Sequence, residues 1–358
     1  MRGLVATVAV ALLAACSGSA THQAMTQRHT LPARLATTPA GAQRHTPQAR
    51  VTTPPRGPTP ARSPGVRLVR WHGPVEQLFV HPLVLRADLA FTTDPLGQGF
   101  AHYFVTAREF RRILDQLWRN EWTLVDARRV AAGNVWVPRG RKPLVLQEDD
   151  ANYYRYFAGR GLAQRLVLVG GRIEAEYDGH LTTDDVVPLV DAMVAAHPEF
   201  SADGAKGLLA ETAYEGFFGE HDLTDPAARA RVRALADRLR ATGWVIASHT
   251  YGHIDLSKDT LATIQRDTER WRAAARGLLG PVHILVYPYG ARPTTAGRDL
   301  LAHAGFTTQY DIDITARRVD ENGVILMSRR HVDGYAFDSP TRLMPFFDVA
   351  TVRDPARP

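Results

Sequence analysis

One cysteine occurs in 358 residues, so no disulfide can form within the chain and a small disulfide-stapled scaffold is excluded. Acidic residues are missing from the first 65 positions, which hold seven arginines and almost no aromatic or large aliphatic residues after the opening stretch. The formal net charge of +6 therefore belongs to that segment. The remaining 293 residues carry 36 basic against 37 acidic side chains. A near-neutral remainder offers no basic folded face, so a nucleic-acid partner has no support. No internal repeat and no second linker interrupt residues 66–358, which are long enough to bury one large core.

What is present begins with a secretion signal. Arg2 precedes an apolar run that is too short to span a bilayer, and the run ends in Leu13-Ala14-Ala15-Cys16. That ending resembles the bacterial lipobox, which implies that Cys16 becomes the lipidated first residue of a secreted chain held at the outer face of the cell membrane. Cleavage without lipidation is the alternative. Residues 17–65 are rich in Thr, Pro, Ala and Arg. They cannot bury enough apolar area to offset their ordering entropy and read as a disordered tether, about 150 Å long if fully extended. Residues 66–358 form the third unit.

Within that unit strand-like and helical runs alternate. Strands are expected at 78–85, 122–126, 143–150, 206–212, 244–249, 283–289, 306–312 and 324–332. Helices are expected from Thr106 onward, where Phe110, Ile113, Leu114 and Leu117 share a face, and near 183–197, 226–242, 259–279 and 294–303. An insertion from Tyr154 to Phe200 holds two strands, 165–169 and 172–177, around the hairpin signal Gly170-Gly171. Repeated β–α alternation predicts a parallel sheet covered by helices, and this many units in one domain suggest a barrel.

Chemistry in such barrels gathers where strands end. The apolar run Leu144-Val145-Leu146 ends in Gln147-Glu148-Asp149-Asp150. Adjacent carboxylates repel, and burying them is costly without a cation or a proton. Either this is a solvated strand end or helix cap, or it is a metal ligand beside a general base. A later strand runs into His249-Thr250-Tyr251-Gly252-His253, whose two imidazoles at i, i+4 can aim at one cation. A metalloprotease would carry Glu directly after the first His, and Thr250 stands there. The next strand ends in Tyr287-Pro288-Tyr289-Gly290, either an ordinary turn or one presenting a backbone N–H to a developing oxyanion.

In that order, these three motifs resemble those of the polysaccharide deacetylase family, the NodB-homology carbohydrate esterases, over roughly residues 78–333. The Asp-Asp-Ala-Asn-Tyr-Tyr form with its insertion looks like a Gram-positive subgroup. The resemblance implies a distorted (β/α) barrel, a divalent metal and hydrolysis of N-acetyl groups on amino-sugar polymers. Carried over, Asp149 is the general base. Asp150, His249 and His253 are the metal ligands, and Tyr289 supplies the oxyanion N–H. Tyr287 and Pro288 line the substrate site. An Asp-His-His set suits zinc first and cobalt, nickel or manganese as well.

The chain departs from the pattern in places. The arginine expected two residues before Pro288 is Val286, with Arg292, Arg329 or Arg330 as substitutes; the apolar residue before Asp-Asp is Glu148, and the following Gly is Ala151. No clean match exists for the late histidine that acts as general acid. His331 is the first candidate, and His81 is the second, more a pocket-shaping residue. The expected function is a metal-dependent N-deacetylase acting on a cell-envelope or extracellular glycan. The alternative is a catalytically inactive, lipid-anchored glycan-binding module on the same fold. Nothing in the sequence sets an oligomeric state.

Overall fold

The apolar runs become the staves of a closed barrel. A computed structural model describes residues 67–358; the signal, Cys16 and the tether lie outside the described residues. Seven parallel strands are β1 (Glu76–Val80), β2 (Lys142–Asp149), β3 (Gly207–Glu211), β4 (Trp244–Ser248), β5 (Ile284–Val286), β6 (Thr308–Ile312) and β7 (Val324–His331). Each pairs with the next, and β7 returns to β1 through Arg330 and His331, which closes the ring. The (β/α) barrel expected from the sequence is therefore the fold.

The ring is uneven. Arg318–Glu321 lies antiparallel on the first half of β7, along the same edge that β1 uses further up. Trp122–Leu124 pairs with the start of β2 without joining the ring.

Side chains alternate across each strand. Val145, Leu208, Val245, Val286, Tyr310 and Met327 pack in one buried cluster, and Leu144, Leu146, Leu209 and Ile246 pack in another with the helices. Those helices are α1 (Ala107–Arg119), α2 (Val186–Ala196), α3 (Pro226–Ala241), α4 (Leu261–Ala275) and α5 (Thr295–His303). Each opens on a capping side chain: Thr106, Asp185, Asp225, Thr260 and Thr294. At α1 the cap is reciprocal, because Glu109 also accepts from the Thr106 backbone N–H at 2.8 Å. Among the described residues no helix is long and apolar enough to cross a membrane.

Several expected strands are shorter in the structure. The first stops at Val80 because His81-Pro82 follows, and proline removes a ladder donor and restricts the residue before it. The run at 122–126 ends at Leu124 because Asp126 turns to cap a short helix, Ala127–Ala131. The strand at 283–289 keeps only Ile284–Val286, and Pro288–Gly290 form a tight turn.

Pro95–Tyr103 is a helix that the sequence reading left out. Asp94 caps it by accepting from Leu96 and Gly97, and two glycines hid its pattern. Gly97 is required there, since a Cβ would meet Thr92 backbone and side-chain atoms at 2.2–2.6 Å. The insertion forms as expected: Arg165–Val169 and Arg172–Tyr177 pair antiparallel around Gly170 and Gly171, both at positive φ, and His180–Thr182 adds a third strand.

Candidate metal centre and active site

The C-terminal ends of β2 and β4 bring the two motifs together. Asp149 is the last residue of β2 and Asp150 follows at φ 55°, a left-handed turn that swings the next side chain out of the strand's alternation. After β4, Thr250 and His253 take φ 63° and 52°, and Tyr289 takes 61° in the turn after β5. A β-branched residue in this region is a rare and costly conformation. Left-handed residues thus recur in all three loops that bound one small volume.

In that volume one ligating atom from each of Asp150, His249 and His253 lies within 4.8 Å of the other two, and all three residues are buried. The His253 Nε2 is 3.8 Å from the Asp150 Oδ1. The His249 Nδ1 lies 3.0 Å from the Val286 carbonyl oxygen. A carbonyl only accepts, so Nδ1 carries the proton and Nε2 keeps its lone pair. The His253 Nδ1 is buried with no hydrogen-bond partner. Burial depresses both imidazoles, His249 to about 4 and His253 to about 3, which keeps them neutral and able to ligate. Two neutral nitrogens and a carboxylate oxygen at this spacing fit a divalent cation such as zinc.

Asp149 faces the barrel interior beside this cluster. Burial would raise its pKa, but the Arg329 guanidinium, together with His249 and His81, overcomes burial and holds it at about 2. Arg329 donates to both carboxylate oxygens, at 2.5 and 2.6 Å. It is itself buried and lies over the Phe79 ring at 4.0 Å. Of the three candidate arginines, Arg329 is thus the one that pairs with Asp149. Of the other two candidates, Arg292 pairs with Asp311 and Asp313, and Arg330 with Glu76, so neither serves Asp149. The His249 Nε2 is 3.9 Å from the Asp149 Oδ2, which ties the two motifs.

Glu148 does not enter the pocket. It lies on the face of β2 opposite Gln147 and Asp149, fully buried, with neither carboxylate oxygen hydrogen-bonded. Burial and the neighbouring Asp185 and Glu211 push its pKa well up.

His81 is buried at the end of β1. It donates from Nδ1 to the Tyr103 carbonyl at 2.9 Å and stacks on Phe104 at 5.1 Å. His331 lies on β7 two residues beyond Arg329, on the same face, and its Nδ1 is 3.8 Å from Asp333. The rings of both histidines flank Phe79. Tyr289 packs edge-on against His253 at 4.5 Å. Tyr287 and Pro288 are buried, and Tyr287 donates its hydroxyl to Gln309.

One contact escaped the sequence reading. The Tyr154 hydroxyl donates to the Asp150 Oδ1 at 2.6 Å and lies 3.3 Å from the Thr212 hydroxyl. The signal was the i, i+4 spacing from Asp150 to Tyr154 in Asp-Ala-Asn-Tyr-Tyr, across a turn that starts left-handed.

Residues 213–309 match the polysaccharide deacetylase family model. The matched segment holds His249, His253 and Tyr289, whereas Asp149 and Asp150 lie upstream, beyond the insertion. Among solved structures, the chain is similar to the Streptococcus pyogenes deacetylase PplD in complex with acetate. The identity is 13%, the TM-score 0.47, and the match covers 79% of this chain and 100% of that one. It is similar to IcaB from Ammonifex degensii, at 15% identity and TM-score 0.45, over 76% and 97% of the two chains. It is also similar to a de-N-acetylase from Aggregatibacter actinomycetemcomitans, at 14% identity and TM-score 0.45, over 73% and 96%. No curated protein matches the chain.

Proposed function

We propose that the protein is a metal-dependent N-deacetylase that removes acetyl groups from an amino-sugar polymer of the cell envelope or extracellular matrix. The observation that carries this reading is the convergence of Asp150, His249 and His253 ligating atoms within 4.8 Å beside an ionised Asp149. The three ligands would hold one divalent cation, zinc first. When bound, such a cation lowers the pKa of a water and polarises the amide carbonyl.

The chain's own residues do the rest. Asp149 accepts the proton of the attacking water, and Arg329 keeps its carboxylate ionised and correctly turned. The Tyr289 backbone N–H stabilises charge on the acetyl oxygen. His331 returns a proton to the departing amine, with His81 shaping the pocket wall. Glu148, on the opposite face of its strand, takes no part.

Acetate release from N-acetylglucosamine oligomers by the zinc-loaded protein tests this. Release should stop on chelation and in Asp149→Asn. Binding of the oligomers with no release under any metal would instead mean an inactive glycan-binding module. We further propose that the chain is lipid-anchored through Cys16 at the outer face of the membrane. Cys16→Ala should release it into the medium, and unchanged membrane partition would remove the anchor.

A further inference from the structure

The near-neutral total of the folded part hides a local excess. Residues 67–75 and 127–147 contain no Asp or Glu. The two segments meet in a small sheet outside the barrel, where Leu68–Arg70 pairs antiparallel with Trp136–Pro138. Arg70 stands directly opposite Trp136, so the two side chains share a face, and both are exposed, the indole by 39%. Arg67 and Arg139 flank the other end of the sheet and are exposed too. Among the described residues, none of these three arginines has an ion-pair partner.

A cavity of about 470 Å³ opens beside this sheet. Arg70, His72, Arg317 and Arg318 line it, and no carboxylate does. Arg317 is already paired with Asp311. Arg318 donates only to the Val130 and Ala131 carbonyls, so its charge is left unbalanced. The adjoining loop is held in place. The Trp71 N–H donates to the Val135 carbonyl and its Nε1 to the Pro74 carbonyl, both at 2.9 Å. Gly73 lies on the indole, where a Cβ would meet the ring at 3.1 Å. Gln77, near the start of β1, also lines the cavity, which sets it toward the N-terminal ends of the strands, away from the loops of the metal centre.

Unpaired arginines gain from the negative potential of an anionic lipid surface within a Debye length, and an exposed indole sits well at headgroup depth. A rigid, acid-free cavity with arginine in its walls suits the oxygens of a phosphate. The patch also begins at residue 67, immediately after the segment read as a tether. We propose that this face docks on anionic phospholipid, with a headgroup phosphate in the cavity, and so turns the metal centre away from the bilayer. At about fivefold in affinity per arginine, the docking is weak and acts once the chain is held nearby. This rests on the reading that places the chain at the outer face of the membrane, but not on turnover.

The test uses the full-length protein with Cys16→Ala, which has no anchor, titrated with vesicles that carry a headgroup quencher. Quenching of Trp136 reads contact at this face, and the arginines of the tether are common to every variant. Vesicles of phosphatidylglycerol should quench it, and those of phosphatidylcholine should not. The double variant Arg70→Ala, Arg139→Ala should need about 25-fold more lipid for half-quenching. Arg155→Ala with Arg172→Ala removes equal charge from exposed positions in the insertion after β2 and should bind as the background does. Trp136→Phe should remove most of the quenching, and thermal unfolding reports that the variants stay folded. Equal losses in the two double variants, or none in either, overturn the docking face. So does quenching undiminished in Trp136→Phe. Binding to soluble poly(glycerol phosphate) as tight per phosphate as to vesicles overturns the lipid and makes a wall polymer the partner. Vesicle docking as expected, in a chain whose membrane partition in cells is unchanged by Cys16→Ala, removes the anchor and leaves the docking face standing.

Discussion

Glu148 and Asp149 are consecutive carboxylates at the end of one strand, both buried, and they meet opposite fates. Asp149 points into the barrel, where Arg329 clamps both of its oxygens and its pKa falls to about 2. Glu148 points to the layer behind, where Asp185 and Glu211 are acids too and its pKa rises well above the usual range. Burial is common to both. The difference lies in which face of the pleat each occupies, and so in whether a cation waits there. Adjacent carboxylates in a sequence thus meet two environments, one that favours the charged form and one that penalises it.

Substitutions can break this contrast at either side, and the expected effects fall in order. Asp149→Asn removes the proton acceptor and should lower the rate of acetate release about 10²–10⁴-fold while zinc still binds. An effect below tenfold would remove Asp149 as the base.

Arg329→Met leaves Asp149 buried and unpaired. Denaturant unfolding should show a loss of about 3–5 kcal/mol. The acid limb of kcat/KM should also move to higher pH, because the group that lowers the Asp149 pKa is gone. An unmoved limb would separate Arg329 from the base.

Tyr154→Phe deletes the hydroxyl on Asp150 and should weaken zinc binding about 10–100-fold, as outer-shell losses do. Glu148→Gln, an isostere of the protonated acid that burial favours, should change stability at pH 7 by less than about 1 kcal/mol. A large loss would mean that Glu148 is ionised.

The smallest effect is a pH trend on the same back face. Burial raises Asp185 to about 6 from an ordinary 3.8, partly offset by the Tyr153 hydroxyl. The folded state then holds a proton that the unfolded chain has released. The stability this contributes is present at low pH and is lost as pH rises through about 6. Relative to wild type, Asp185→Asn should therefore gain stability between pH 4 and pH 7 in urea titrations.

Much of the barrel was legible because its strands are continuous apolar runs and its helices open on strong caps. Strand ends were less so: His81-Pro82 and Tyr287-Pro288 stop their strands early, and apolar character alone continues past both. Asp150, His249 and His253 could be singled out because their types and spacing suit one ion, and Asp149 because it adjoins the first of them. Arg329 stood only among three candidates, because its pairing with Asp149 spans 180 positions and depends on β7 closing the ring next to β1. The face taken by Glu148 needed the strand's phase, which the sequence leaves open where a run is buried on both sides. Tyr154 was hidden for a simpler reason. It acts through a turn that opens at positive φ at Asp150, so its i, i+4 spacing points to the contact only once that turn is known.

Calorimetric titration of the metal-free protein with zinc, alongside Asp150→Asn and His253→Ala, tests the central claim most directly. One zinc per chain should bind the wild type, and each variant should lose at least about tenfold in affinity. Binding that is unchanged in both variants, or no binding by the wild type, would contradict a shared grip by Asp150, His249 and His253 and with it the proposed chemistry.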